Sequence, residues 1–240
     1  MIKPRFISFE GGEGSGKSTQ IKLLAKRLAK YGDVITTREP GGTIEAEIIR
    51  NLLVKGKKNK WSGVVETLLL YAARKDHIDK VIAPSLKKNK WVLCDRFKES
   101  TLVYQGYGKN VDIALIKKLD KIITNNLTPG LTFILDIDPI IGLKRSKRKS
   151  NTETRYENMS LGFHNKIRKA FKAIARLNKK KFILINANQD INLIQDIIWN
   201  KSVSYKHLTL PTNREVDISV VAVSLKKKWG GGGVGGGGGG

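Results

Sequence analysis

FISFEGGEGSGKSTQ, residues 6–20, runs from an apolar stretch through a glycine-rich segment into a helix-patterned one. Its middle, GGEGSGKS at 11–18, satisfies the spacing G-x-x-x-x-G-K-[ST], with a strand before it and an amphipathic helix after it. In that context the glycines at 11, 12, 14 and 16 let the backbone take positive φ and turn its N–H groups inward, a cradle for phosphate oxygens. Lys17 is expected to reach the β- and γ-phosphates of ATP, and Ser18 to offer its hydroxyl to Mg²⁺. The expected ATP-binding set is Gly11, Gly12, Glu13, Gly14, Ser15, Gly16, Lys17, Ser18 and Thr19.

Working outward, apolar runs recur at 34–36, 91–94, 131–137 and 182–185, separated by helix-length segments of 3.6-residue periodicity. That rhythm predicts an α/β fold: a parallel sheet of about five strands with helices on both faces. In the first helix Ile21, Leu24, Ala25 and Leu28 share a face, and Gly32 marks its stop. Thr43 can cap a second helix to about Leu53. The stretch 62–89 reads as a long helix that Pro84 should kink or break near its end. Residues 144–156 have no apolar period and read as a mobile basic lid between two helices, the second packing through Phe163, Ile167, Phe171 and Ile174.

A chain of 240 residues with 40% hydrophobic content can bury one good-sized core. Its single cysteine, Cys94, excludes a disulfide framework and favours a reducing, cytoplasmic setting. No run of 18 apolar residues occurs, so no membrane partner is expected. The net charge of +24 invites a polyanion, yet the lysines are spread over nearly every expected element, with few aromatics among them. We read a generally Lys-rich surface whose field also suits anionic nucleotides, and no nucleic-acid partner. The expected catalytic domain is 1–201. From 202 the βα rhythm is lost, SVSYKHLTLPT resembles a translated sequencing-adapter end, and a glycine run follows, so 202–240 reads as a disordered or artefactual tail.

WVLCD at 91–95 is a buried strand ending in an acid, the Walker-B arrangement of a P-loop NTPase, which makes Asp95 the second metal candidate beside Ser18. TREPGGT at 37–43 places Arg38 at the end of the second strand, on the same sheet edge. Together with YAAR at 71–74, DRF at 95–97 and STLVYQG at 100–106, these segments resemble the thymidylate kinase family over about residues 4–200.

The resemblance implies transfer of the ATP γ-phosphate to dTMP, giving dTDP for DNA synthesis, by a homodimer formed through helices of the 60–120 region. It implies that Arg38 and Arg96 hold the acceptor phosphate, for which guanidinium forks are well matched. Arg74 would donate to a thymine carbonyl and Ser100 or Thr101 would bond the base edge. Tyr104 would crowd the sugar 2′ position, Gln105 would help fix base or sugar, and Glu10 would sit near the 3′-hydroxyl. The attacking phosphate is already ionised, so no general base is required. Leu70 stands where many relatives carry an aromatic residue, which forgoes about 0.5–1.5 kcal/mol of stacking and keeps open another acceptor, such as dUMP. A basic nucleic-acid-binding ATPase is the remaining alternative. Because the loop carries no basic residue between Gly11 and Gly16, the catalytic charge is expected from the lid, as in the bacterial-type members, with Arg145, Arg148 or Arg155 as an internal arginine finger. Arg155, followed by Glu157, resembles the family's lid-end motif most closely.

Overall fold

The computed structural model describes residues 2–147 and 155–209, with side chains for 5–147 and 155–204. Its strands are β1 (Ile2–Gly11), β2 (Val34–Arg38), β3 (Trp91–Asp95), β4 (Thr128–Asp136) and β5 (Phe182–Asn186). The helices are α1 (Lys17–Leu28), α2 (Ile44–Val54), α3 (Gly63–His77), α4 (Ala83–Lys87), α5 (Lys98–Thr101), α6 (Ile113–Thr124), α7 (Pro139–Lys147), α8 (Leu161–Leu177) and α9 (Ile191–Thr209).

All five strands are parallel, in the order β2-β3-β1-β4-β5. β1 therefore lies between β3 on one side and β4 on the other, and its C-terminal edge opens the crevice where parallel sheets bind ligands. The period of two sorts the strand faces. Ile7, Phe9, Leu93 and Leu131 pack with Ile21 and Leu24 of α1 and with Ile194 and Ile198 of α9. On the opposite face Ile134 meets Phe163, Ile167, Phe171 and Ile174 of α8, while Phe6, Val92 and Cys94 meet Ile78, Ile82 and Phe97.

Local signals explain most helix starts. Thr43 accepts the Ala46 N–H at 3.0 Å, capping α2 as its sequence suggests. Ser62 and Ser160 do the same for α3 and α8. Pro84 does not break the helix. The chain stays helical from Gly63 to Lys87 because one π segment, Ile78–Ile82, is inserted ahead of the proline, with the Ala83 N–H bonded back to the Ile78 carbonyl. The wider turn absorbs the missing N–H that would otherwise interrupt the helix.

Two expected boundaries differ. Residues 144–147 of the basic stretch are helical, closing α7. Residues 148–154, which include Arg148, lie outside the described residues. α9 continues past residue 201 to Thr209, with Ser202 buried and its hydroxyl donating to the Ile198 carbonyl at 2.8 Å. The rest of the expected tail, 210–240, lies outside the described residues.

Candidate active site

β1 ends at Gly11, and the loop that follows holds Gly11, Gly14 and Gly16 at φ of 135°, 65° and 89°. Gly16 caps α1 without a side chain, so the first-turn N–H groups stay available to an anion. Lys17 folds back under the loop, its Nζ 3.2 Å from the Gly11 carbonyl and 3.1 Å from that of Gly12. Burial and the Arg96 charge pull its pKa below the ordinary lysine value, while Asp95, Glu13 and Glu10 pull it back up. α7 closes on the loop at one point: a Cβ at Gly14 would lie 2.0 Å from the Gly142 carbonyl oxygen, and one at Gly142 would lie 2.4 Å from that of Glu13.

Asp95 is registered opposite both Phe9 of β1 and Arg38 of β2, so these strand ends form one edge. The Ser18 hydroxyl donates to Asp95 Oδ2 at 3.1 Å, a hard-oxygen pair at the loop's mouth. Among the described residues no cluster of three or more His, Cys, Asp or Glu could cage a metal. That donor set fits Mg²⁺, which takes few protein ligands and completes its shell with water and phosphate oxygens.

Arg96 follows β3 in the left-handed region, φ 69°, a conformation unusual for a residue with a side chain. Its Nη1 donates to the Gly11 carbonyl at 2.9 Å and to Ser100 Oγ at 3.2 Å, its Nη2 to Glu13 at 3.0 Å, and its guanidinium lies 5.0 Å from the Tyr104 ring centroid. Tyr104 donates to the same Glu13 oxygen at 2.9 Å. Burial raises the Glu13 carboxyl's pKa, but Arg96, Lys17 and Tyr104 together bring it below the ordinary value. Glu13 thus faces Arg96 and Tyr104, a position its place in the phosphate-loop motif did not reveal. Glu10 is fully buried, accepting from the Phe97 N–H at 2.8 Å and from Ser100 Oγ at 2.6 Å. Burial, reinforced by Glu99, pushes its carboxyl up to about 8.

Arg74 is 2% exposed and ends a buried polar chain. Thr37 Oγ1 meets His77 Nε2 at 2.6 Å, and His77 Nδ1 meets Glu39 at 3.1 Å. Arg74 Nε donates to Glu39 at 2.7 Å and its Nη2 to Thr101 at 3.0 Å. Its Nη1 is buried with no partner among the described residues. Glu39 and His77 were missed in the sequence. The signals were there, Glu39 inside TREPGGT and His77 three residues after Arg74, but neither motif shows that the two meet.

A cavity of about 710 Å³ gathers most of the expected residues. Glu13 to Thr19, Arg38, Leu70, Arg74, Asp95, Arg96, Ser100, Thr101, Tyr104, Gln105 and Arg145 all line it, while Glu10, Gly11, Gly12 and Arg155 do not. Arg50, which sequence reasoning did not single out, also lines it. Arg38 is turned to Glu47 by two bonds of 3.2 and 2.9 Å and is 51% exposed.

The lid arginines divide. Arg145 lines the cavity and is tied to the loop after β5, its Nη1 donating to the Ala187 carbonyl at 3.1 Å and its Nη2 to Asn188 at 3.2 Å. Arg155, the expected finger, is 2% exposed and does not line the cavity. Its guanidinium donates to the carbonyls of Leu53, Lys57 and Lys58 at 2.8–3.0 Å and to the Glu66 carboxylate. It therefore caps the carbonyl end of α2, where a cation is favoured, with four of its five N–H donors engaged there. Charge and position in the sequence could not separate this role from a catalytic one.

A parallel sheet whose first strand ends in a phosphate loop, with a metal-suited Ser–Asp pair on one side and an arginine-lined wall on the other, defines a P-loop nucleotide kinase. Residues 9–198 match the model of the thymidylate kinase family. The chain is 46% identical over 201 residues to the thymidylate kinase of Magnetococcus marinus, covering 83% of this chain and 96% of that one. It is 48% identical over 198 residues to that of Afipia carboxidovorans, covering 81% and 87%. The crystal structure of thymidylate kinase from Ehrlichia chaffeensis superposes with a TM-score of 0.67 at 34% identity, over 81% of this chain and 96% of that one. The chain belongs to the thymidylate kinase family.

Proposed function

We propose that this chain transfers the γ-phosphoryl group of ATP to dTMP, giving dTDP and ADP. The observation that carries this reading is Arg96. Bonded at once to the Gly11 carbonyl of the donor loop and to Glu13 and Ser100 of the acceptor wall, its guanidinium stands where the two phosphates must meet. ATP lies along the phosphate loop, Lys17 leaving the carbonyls of Gly11 and Gly12 for the β- and γ-oxygens. Ser18 and Asp95 hold Mg²⁺, which when bound offsets the charge on the phosphates. Arg96 and Arg38 grip the acceptor phosphate, Arg38 exchanging Glu47 for it. Arg74 meets the base through its unpartnered Nη1, and Thr101, already fixed by Arg74, stands at the same edge. Tyr104, pinned by Glu13, closes the sugar's 2′ side. With Arg155 used elsewhere, Arg145 is the described lid arginine placed to supply charge during transfer.

The protein works in the cytoplasm; no helix among the described residues is long and apolar enough to cross a membrane. It works as a homodimer. Supporting this, Val64 and Leu68 of α3 and Ile44, Ile48 and Leu52 of α2 are exposed at four-residue spacing on packed helices. The catalytic domain ends with α9, and the residues after it play no part in transfer.

A coupled ADP-release assay with Mg-ATP across the common monophosphates tests the assignment. dTMP should be preferred, and a tenfold preference for another acceptor overturns it. Leu70 on the cavity wall, where a flat aromatic would grip the base, keeps dUMP as the acceptor to watch.

A further inference from the structure

Glu66 lies in the first turn of α3, 0% exposed, and four groups converge on it. Lys109 and Arg155 Nη2 bond its Oε1, while the Tyr156 hydroxyl at 3.0 Å and Gln105 Nε2 at 3.1 Å bond its Oε2. Gln105 Nε2 also reaches the Tyr156 oxygen at 3.2 Å. Burial raises the Glu66 carboxyl's pKa, yet the bonds from Lys109, Arg155 and Gln105 bring it below the ordinary value. An ionised carboxylate only accepts hydrogen bonds. The end of Gln105 that faces Glu66 must therefore be its NH₂, which fixes the direction of the whole amide. Gln105 is 1% exposed and lines the cavity, and its Oε1 is buried with no partner among the described residues. A buried acceptor left without a donor is destabilising, a cost that a donor on a bound ligand removes.

We propose that Glu66 is a positioning residue for the acceptor nucleotide: by holding the NH₂ end of Gln105 it presents Gln105 Oε1 to a donor on the bound monophosphate. Through the same carboxylate it clasps Arg155 and Tyr156, so the end of the lid and the acceptor wall share one anchor. The inference rests on the reading that dTMP occupies the wall formed by Arg74, Arg96 and Tyr104. It adds that the wall's polarity is set from α3, by a group that never touches substrate.

The test is steady-state kinetics on the full chain with Glu66→Gln, Gln105→Ala, the pair combined, and Tyr156→Phe, with thermal melting of each. Glutamine at 66 can donate as well as accept, so the Gln105 amide is no longer oriented. Glu66→Gln should raise KM for dTMP about fivefold and leave KM for ATP within about twofold, the size of one hydrogen bond. In the Gln105→Ala background the same substitution should change KM for dTMP by less than about twofold. A merely structural role would move both KM values together, or act equally in both backgrounds, and either result overturns the proposal. Should Glu66→Gln fail to fold, Tyr156→Phe decides. It keeps every charge and removes one holder of the amide, and should raise KM for dTMP about two- to fivefold only while Gln105 is present. An unchanged KM there overturns the proposal. If the wild-type chain prefers a different monophosphate, the function reading fails instead, and the same comparison on that acceptor still decides the role of Glu66.

Discussion

Arg155 and Glu66, 89 positions apart in the chain, are bonded guanidinium to carboxylate with neither side chain more than 1% exposed. The pair turns the end of a basic lid into a fixed point on α2 and α3.

Removing Arg155 should therefore affect folding before it affects chemistry. Arg155→Ala leaves Glu66 buried with Lys109 as its remaining cation and uncaps α2, and should cost about 3–5 kcal/mol in urea denaturation. Arg145→Ala should leave stability within about 0.5 kcal/mol, because its two bonds lie at the protein's edge. In single-turnover assays it should slow phosphoryl transfer at least about tenfold. An Arg155→Ala variant of normal stability but slow transfer would restore Arg155 as the finger.

Arg96→Lys tests the bridge between donor and acceptor. Lysine keeps the charge but cannot span Gly11, Glu13 and Ser100 from one planar fork. We expect kcat/KM for dTMP to fall at least about 100-fold, roughly 2.7 kcal/mol of lost transition-state stabilisation, at unchanged melting temperature. A loss under about tenfold would mean charge alone suffices.

Glu10 makes the nucleotide-free protein sensitive to pH. Its carboxyl is raised from 4.5 to about 8 in the folded state, so folding binds a proton throughout that window. The stability this confers is whole below 4.5 and lost as pH rises through about 8. Glu10→Gln mimics the protonated form. Between pH 5 and 8.5 the wild-type melting temperature should fall relative to the variant's, and parallel melting curves would contradict the shift.

Leu68→Glu places a charge in the exposed row on α3 and should yield monomers by light scattering. A dimer unchanged by this substitution moves the interface elsewhere.

Much of this was legible in the sequence because it is local. The phosphate loop, the strand-end Asp95 and the cap at Thr43 depend on residues within one turn of each other, so spacing alone betrays them. Arg38, Arg74 and Arg96 were found through motifs whose meaning comes from a family resemblance. What escaped is non-local. Whether a lysine-rich stretch contains a finger or a clasp depends on Glu66, 89 positions away, and the orientation of Arg74 depends on Glu39, 35 positions away. At Pro84, too, sequence marks the lost N–H, not the π turn that accommodates it.

The touching glycines at 14 and 142 also limit how this enzyme could ever change. An arginine in the phosphate loop is one solution to transition-state charge, and a helix resting on the loop is another. With a carbonyl oxygen only 2.0 Å from where a β-carbon at 14 would sit, the two solutions cannot coexist at that position. Grafting a basic loop residue there would first have to lift α7 away, taking Arg145 with it, so the glycine pair closes position 14 to a loop-borne charge.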